Sequence, residues 1–405
     1  MSKVEMAQAF IIGAKRSPFV KARPEKDDGF AGVHPVDYAA YVAEKTFEEA
    51  TQGSSLTKDK INDLILGLAT KVGKQGFNPA RLIAIKAFSE HVPAYTVDRL
   101  CGSSLEALNI AVRTIKAKDA DVIVVMGLED MKEVPIGSDM LPPPVNKGNM
   151  WNVLRNGENA IYDSLPQWFE FVQMYDSAKL VAEKYGLTRR DQDEYAAESQ
   201  NRSYFAQVNG YFKDEIIPIP TPKGIILEDN GIRPSTIETL SKLPSVSKEN
   251  NMITAANSSQ KTAGASCLIV VSEDFVNKYN LRPLAEVVAT AVIGGDSKIQ
   301  LEGPVFAIPA VLKKAGLEIK DIDRIEINEA FGAVSLACIK KLKLDREKVN
   351  VQGGAIGLGH PLGASGGRLA VTLVHQLIRE KLDLGLATLC IGGGQSNATI
   401  LKRCS

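Results

Sequence analysis

Histidine and cysteine are scarce in this chain, at four and five of 405 residues. Five cysteines at scattered spacing form no Cys/His metal framework, and their odd number leaves one over in any disulfide scheme. A reducing, cytoplasmic home is the simplest reading. No run of about 18 apolar residues occurs, so no membrane-spanning helix is expected. The opening MSKVEMAQAFIIGAKRSPF lacks the basic region, long apolar run and cleavage site of a signal peptide, and the ending LKRCS is not a Ser-Lys-Leu address. Net charge is absent too. The 48 Lys and Arg balance 48 Asp and Glu, which argues against a general nucleic-acid or membrane-surface binder. What remains is ordinary globular composition, 44% hydrophobic and 24% charged, in a chain long enough for two or three domains.

Against that background, residues 353–367 stand out: GGAIGLGHPLGASGG, with seven glycines around one histidine, His360. A packed helix would be weakened by such density. It implies that backbone comes close to a ligand, a neighbouring strand or a second catalytic group, or adopts positive φ.

The chain also repeats itself faintly. TKDKINDLILG, NPARLIAIKAF and VPAYTVDRLCGSS in the first half correspond to EIKDIDRIEIN, GAVSLACIKKL and VNVQGGAIGLGH in the second. Each half continues with an amphipathic helix and a short apolar strand, DVIVVMG or ATLCIGG, of the kind buried on both faces. The fold class is therefore α/β: two similar halves of mixed sheet clad in helices, with equivalent loops brought together at one site. Residues 128–250 break the pattern with a loop rich in Pro, Gly and Asn, followed by a charged helical pair whose second helix has Thr188 as its N-cap. We divide the chain into an N-terminal half (1–127 and 251–280), an inserted loop lobe (128–250) and a C-terminal half (281–405).

Chemistry concentrates in four places. Cys101 lies between AYTVDRL and GSSLEAL, where a helix N-terminus would stabilise a thiolate; its alternative is a small core hydrophobe. Cys390 ends an apolar strand and opens CIGGGQ, presenting sulfur and N–H groups to one spot or simply filling the core. His360 is either an acid/base or a loop histidine satisfied by carbonyls. Asn328 and Glu329, in IEINEAFGA, end a strand, where Asn also suits an N-cap. The other candidates fit structural positions: Cys267 and Cys338 the core, Cys404 the tail, His375 an apolar helix, His34 a proline-containing loop and His91 the approach to a strand.

Taken together, VDRLCGSS, INEAFGA, GGAIGLGHPLGASG and LCIGGGQ resemble the thiolase family, in that family's order, and the likeness extends along nearly the whole chain. TAANSS and the long lobe look more like degradative 3-ketoacyl-CoA thiolases than short-chain biosynthetic ones. The resemblance implies a thiolase-like fold and thiolytic cleavage of 3-ketoacyl-CoA in fatty acid β-oxidation, with coenzyme A as co-substrate and no tightly bound cofactor or metal. Cys101 would carry the acyl group and His360 take its proton. Cys390 would be the second acid/base. Asn328, through a water, and His360 would form one oxyanion hole, and the N–H groups of Cys101 and Gly392 the other. Ser259 would contact pantetheine, with Met174, Ala330 and Phe331 lining its tunnel. The glycines around His360 would let a CoA thioester crowd against it. A homodimer or homotetramer is implied, with a β-oxidation hydratase/dehydrogenase as a further partner, and neither nucleic acid nor membrane.

The sequence departs from the family near the site: Ser104, Tyr175 and Ser396 stand where glycine is usual and Ala263 where Asp is usual, changes that would narrow the substrate range or weaken CoA binding. Two other readings therefore stand beside the leading one: acetoacetyl-CoA synthesis from two acetyl-CoA, and a catalytically weak scaffold subunit.

Overall fold

A computed structural model describes residues 8–404 except 24, 27, 137 and 139–171. Most of the loop read as rich in Pro, Gly and Asn lies outside the described residues. The main sheet runs β10-β11-β12-β9-β1-β8-β5-β3-β4, with β2 (Val20–Lys21) on β8. It is two copies of one motif joined edge to edge. In the first, β3 (Asp63–Gly67) is flanked in parallel by β4 (Ala94–Val97) and β5 (Val122–Asp130). Antiparallel β8 (Thr262–Ser272) and β1 (Ala9–Arg16) follow. In the second, β10 (Arg324–Ile327) lies parallel to β11 (Leu384–Ile391), followed by antiparallel β12 (Gln395–Arg403) and β9 (Ala285–Gly294). Val349 bridges Ile325 in parallel, where the first motif has β4. The copies meet where Phe10 and Ile11 pair with Glu286 and Ala285.

Strand periodicity sorts the side chains into layers. On β5, Val122, Val124, Met126 and Leu128 face an outer core with the helix Pro35–Ala50, while Ile123 and Val125 face a central core. On β11, Leu386 faces the second outer core and Ala387 and Leu389 the central one. The central core is built around two buried helices, Ser103–Lys116 and Leu362–Glu380, one from each half.

β5 ends at Asp130, three residues past the boundary read from sequence, and β8 begins at Thr262; among the described residues between them, Ile216 makes a single bridge to Arg16 on β1. Leu128, Glu129 and Asp130 still pair with Ala265, Gly264 and Ala263. The helix Arg189–Val208 has the expected Thr188 cap, whose Oγ1 accepts the Asp191 N–H at 3.1 Å. Arg16, fully buried on β1, ties this segment to the sheet through Glu215 at 2.7 Å and both Asp229 oxygens at 2.7 and 2.8 Å. Burial disfavours its charge, but the two carboxylates outweigh that and raise its pKa.

The two central helices begin in backbone contact. A Cβ on Gly366 would stand 2.6 Å from the Leu105 nitrogen, and one on Gly363 would stand 2.3 Å from the Leu128 oxygen. Gly366→Ala is therefore expected to destabilise the protein by about 1–3 kcal/mol in urea unfolding. Gly295→Ala, whose nearest contact is an ordinary 3.4 Å, should stay within about 0.5 kcal/mol. Equal stability of the two variants would contradict the packing.

Candidate active site

Cys101 occupies the middle of a 3-10 turn, Leu100–Gly102, that runs directly into the first central helix. Leu100 sits at φ 43, in the left-handed region, a conformation that costs about 1–2 kcal/mol for a non-glycine residue. Local hydrogen bonds hold it there. Asp98 accepts the Leu100 N–H at 2.8 Å, while Ser103 Oγ accepts from Arg99 N at 2.9 Å and donates to the Leu100 carbonyl at 2.6 Å. Gly102 lies so close to Ile391 that a Cβ would stand 2.4 Å from its Cδ1. That approach brings Cys101 to the end of β11, where Cys390 and Gly392 lie. The Gly392 N–H acts on the Cys101 sulfur so as to favour its thiolate. Gln300 Oε1, accepting from Gly393 at 2.7 Å, fixes the turn that carries it.

His360 precedes the second central helix. Its N–H donates to the Gln260 carbonyl at 3.0 Å. Ser365 Oγ donates to the Pro361 carbonyl at 2.9 Å and stands 2.5 Å from His360 Nδ1. With the hydroxyl proton committed to Pro361, Nδ1 carries the ring proton and Nε2 is left with its lone pair. Asn328 Nδ2, 3.3 Å from Nε2, is then a donor to it. The sequence reading missed Ser365, although it lies one helical turn beyond Pro361. It sets the tautomer that a proton-accepting Nε2 requires.

Glycines around His360 face protein rather than cavity, which corrects the expectation that they make room for a thioester. A Cβ on Gly354 would stand 2.6 Å from Glu329 Cδ, and one on Gly359, at φ 106, would stand 2.2 Å from Thr262 Cγ2. Glu329 accepts from Tyr195 Oη (2.8 Å), Ser199 Oγ (2.7 Å), Asn350 Nδ2 (3.1 Å) and Ile356 N (3.0 Å). It is a clamp holding this loop against the inserted segment. Glu129 is a second buried clamp, accepting from Ala69 N, Thr70 N, Gln75 Nε2 and Gly363 N at 3.0 to 3.2 Å. Neither function was legible in the sequence, because each depends on donors from distant segments.

These elements surround one cavity of about 300 Å³. Cys101, His360, Cys390, Gly392, Ser259, Met174, Ala330 and Phe331 all line it. Asn328 is fully buried behind His360, with its Oδ1 lacking a hydrogen-bond partner among the described residues. Asn328 does not cap a helix; Phe331 holds the N-cap position. Ser259 N–H donates to the Ala330 carbonyl at 3.0 Å, so these two residues form one wall. The expected structural cysteines, Cys267 and Cys338, are fully buried in core clusters. Of the departures, Ser104 Oγ accepts from Gly367 N at 2.8 Å and Ser396 Oγ donates to the Leu389 carbonyl at 2.7 Å. Both hydroxyls are accommodated.

Burial dominates the electrostatics. It pushes the Cys101 thiol up to about 12, against the opposing Gly392 and Cys101 N–H groups. Burial also raises Cys390 well above the ordinary range, reinforced by repulsion from a Cys101 thiolate. His360 falls to about 3, through burial and then the Arg368 charge. The helix N-terminus was expected to make Cys101 a ready thiolate; in the resting site desolvation wins. Thiol, thiol and neutral imidazole are the resting forms.

Two family models match the chain: the thiolase N-terminal domain over residues 9–274 and the thiolase C-terminal domain over 281–403. Probable acetyl-CoA acyltransferases from two Staphylococcus aureus strains, COL and MRSA252, are each 38% identical over 381 residues, covering 92% of this chain and 94% of theirs. Human mitochondrial 3-ketoacyl-CoA thiolase in complex with CoA superimposes with a TM-score of 0.86 at 34% identity, over 99% of each chain. Bacillus anthracis acetyl-CoA acetyltransferase gives 0.86 at 32% identity, over 99% of this chain and 100% of its own.

A thiol raised this far is expected to alkylate faster with pH and without a plateau. Iodoacetamide labelling of the Cys101 peptide, followed by mass spectrometry, should rise about tenfold per pH unit from 6 to 10. Saturation by pH 7 to 8 would show a preformed thiolate and contradict this charge state.

Proposed function

The chain belongs to the thiolase family and is an acyltransferase, and from that premise we propose that it cleaves 3-ketoacyl-CoA with CoA in β-oxidation. The convergence of Cys101, His360, Cys390 and Gly392 on one cavity, with Asn328 against His360, carries this reading. His360 Nε2 takes the Cys101 proton as the sulfur attacks the 3-keto carbon. The C2–C3 bond breaks, leaving the acyl group on Cys101 and releasing the acetyl-CoA enolate, which takes a proton from Cys390. CoA then gives its thiol proton to Cys390 and attacks the acyl-Cys101 thioester. Cys101 leaves as a thiolate and recovers its proton from His360. The products are acetyl-CoA and an acyl-CoA two carbons shorter.

Oriented donors serve the charges that develop. The Cys101 and Gly392 N–H groups face oxygen on the acyl carbon, while His360 and Asn328, with a water, face the enolate oxygen. Ser259, Met174, Ala330 and Phe331 border the pantetheine arm in this reading. The domain division into 1–127 with 251–280, 128–250 and 281–405 is proposed with it. All five cysteines are free thiols, which fits a reducing compartment such as the cytoplasm. Similarity to an acetyl-CoA acetyltransferase supports a second reading, in which the same groups run in reverse to condense two acetyl-CoA.

Purified protein should release acetyl-CoA from 3-ketoacyl-CoA only when CoA is present, and Cys101→Ala should lower the rate about a thousandfold or more. Running acetoacetyl-CoA beside a long-chain 3-ketoacyl-CoA separates the two readings by which is faster. No release from either by folded enzyme at saturating CoA would sink both.

A homo-oligomer is proposed as well, by pairing of edge strand β4 with a second copy. β4 pairs only with β3 among the described residues; Phe77, at 94% exposure, precedes Asn78, which donates to the Ala94 carbonyl of β4 at 3.3 Å, and Leu82, Ile85 and Tyr95 are also exposed. Light scattering should give two or four times the 43.7 kDa chain, and Tyr95→Lys with Phe77→Glu should shift it toward one. A wild-type protein of single-chain mass at micromolar concentration would refute this.

A further inference from the structure

One residue lining the cavity has no part in the reaction above. Lys261 borders it between Gln260, whose carbonyl holds His360, and Thr262, where β8 begins. The Lys261 carbonyl accepts the Ala22 N–H at 3.1 Å, which fastens the residue to the N-terminal half. Its neighbours on that wall, Met131 and Leu362, pack in or against the outer core of that half. Across the cavity, Met174, Leu301, Phe331 and Cys390 pack in or against the outer core of the other half.

Among the described lining residues Lys261 is the one Lys, Arg, Asp or Glu. Nearby cations are already engaged. Lys71 donates to the Ala69 carbonyl at 3.2 Å and pairs with Asp98, and Lys132 donates to the Asp28 carbonyl. The Lys261 ammonium has no hydrogen bond or ion pair among the described residues. Lys261 is exposed at the cavity, whose mainly apolar lining has Thr70, Ser259, Gln260 and His360 as its other polar members; a plain alkyl tail laid over its unneutralised ammonium would strip water from a cation. The cavity suits a chain whose far end is an anion.

We propose that the 3-ketoacyl groups accepted here end in a carboxylate received by Lys261, so that the substrates are CoA thioesters of 3-keto dicarboxylic acids. This rests on the thiolytic reading of the cavity. Cleavage would release acetyl-CoA and the CoA thioester of a dicarboxylic acid two carbons shorter. The carboxylate takes no part in bond making; its ion pair with Lys261 sets which chains are bound.

The test compares kcat/KM for two 3-ketoacyl-CoA thioesters of equal length, one ending in carboxylate and one in methyl, with wild type and Lys261→Met. Wild type should prefer the carboxylate by about 10- to 100-fold, the range of a charge-assisted contact, and Lys261→Met should bring the ratio close to one. No preference in wild type, or one that survives in Lys261→Met, overturns the proposal. So does a Lys261→Met variant whose KM for CoA rises equally with both thioesters, because that assigns the ammonium to the CoA phosphates. Calorimetric titration of both thioesters into Cys101→Ala reads the same preference without turnover. Tighter binding of the carboxylate ester by an enzyme that cleaves neither would sink the thiolytic reading while upholding recognition by Lys261. Equal binding would sink the recognition itself.

Discussion

Backbone contact between the starts of the two central helices is the constraint on which the site depends. Gly67 and Gly127, at the ends of β3 and within β5, leave no room for a Cβ: one on Gly67 would stand 2.2 Å from Ser104 N, and one on Gly127 2.7 Å from Ala364 Cα. Gly363 and Gly366 complete the seam from the other helix. Only with side chains absent there do the loops carrying Cys101 and His360 reach one cavity. Both helices also begin at it, which aims the positive ends of their dipoles at the place where the proposed reaction would form negative charge.

Close packing alone would leave loops free to shift, and buried carboxylates remove that freedom. Glu129 and Glu329 each take four donors from segments far apart in the chain. For Glu129, burial prevails over these donors and lifts the carboxyl to about 7. Such a group is costly to bury and strongly disruptive to leave unpaired, so its partners are held to one arrangement. Glu129 joins the β3 end to the start of the His360 helix, and Glu329 joins the turn after β10 to the inserted segment. The oxyanion donors of the proposed reaction are thereby positioned before substrate arrives.

Much of this was legible in sequence, for identifiable reasons. Short continuous apolar runs such as VIVVM and the recurrence of strand, helix, strand in both halves announced two α/β motifs, because local patterning governs both. Cys101, His360 and Cys390 announced themselves by standing at strand or helix ends beside glycine. What the sequence hid depends on distant partners. GASGG looked like ligand clearance and is helix-to-helix clearance, since a Cβ on Gly366 meets Leu105, which lies 261 positions earlier in the chain. Ser365 was overlooked although its partners His360 and Pro361 lie within five residues of it, whereas Glu129 is an ordinary polar residue until the fold supplies Gly363 as its partner. The sign of the Cys101 shift was hidden for the same reason. A helix N-terminus is visible in a sequence, whereas the desolvation that overrides it belongs to the assembled cavity.

That sign changes how the chemistry must run. With burial raising the thiol and lowering the imidazole, a separated thiolate and imidazolium are disfavoured at rest. In the proposed reaction, proton transfer would therefore accompany carbon–sulfur bond formation, so that negative charge moves onto an oxygen already faced by N–H groups. Those donors assist only weakly at rest, where they meet a neutral thiol, and most when the oxyanion forms, which is the differential binding that lowers a barrier. A neutral site also admits a thioester without stripping water from an ion pair, and it keeps a soft nucleophile unreactive until a carbonyl carbon is within reach. The burial that makes Cys101 a poor thiolate is thus part of what makes it a selective one.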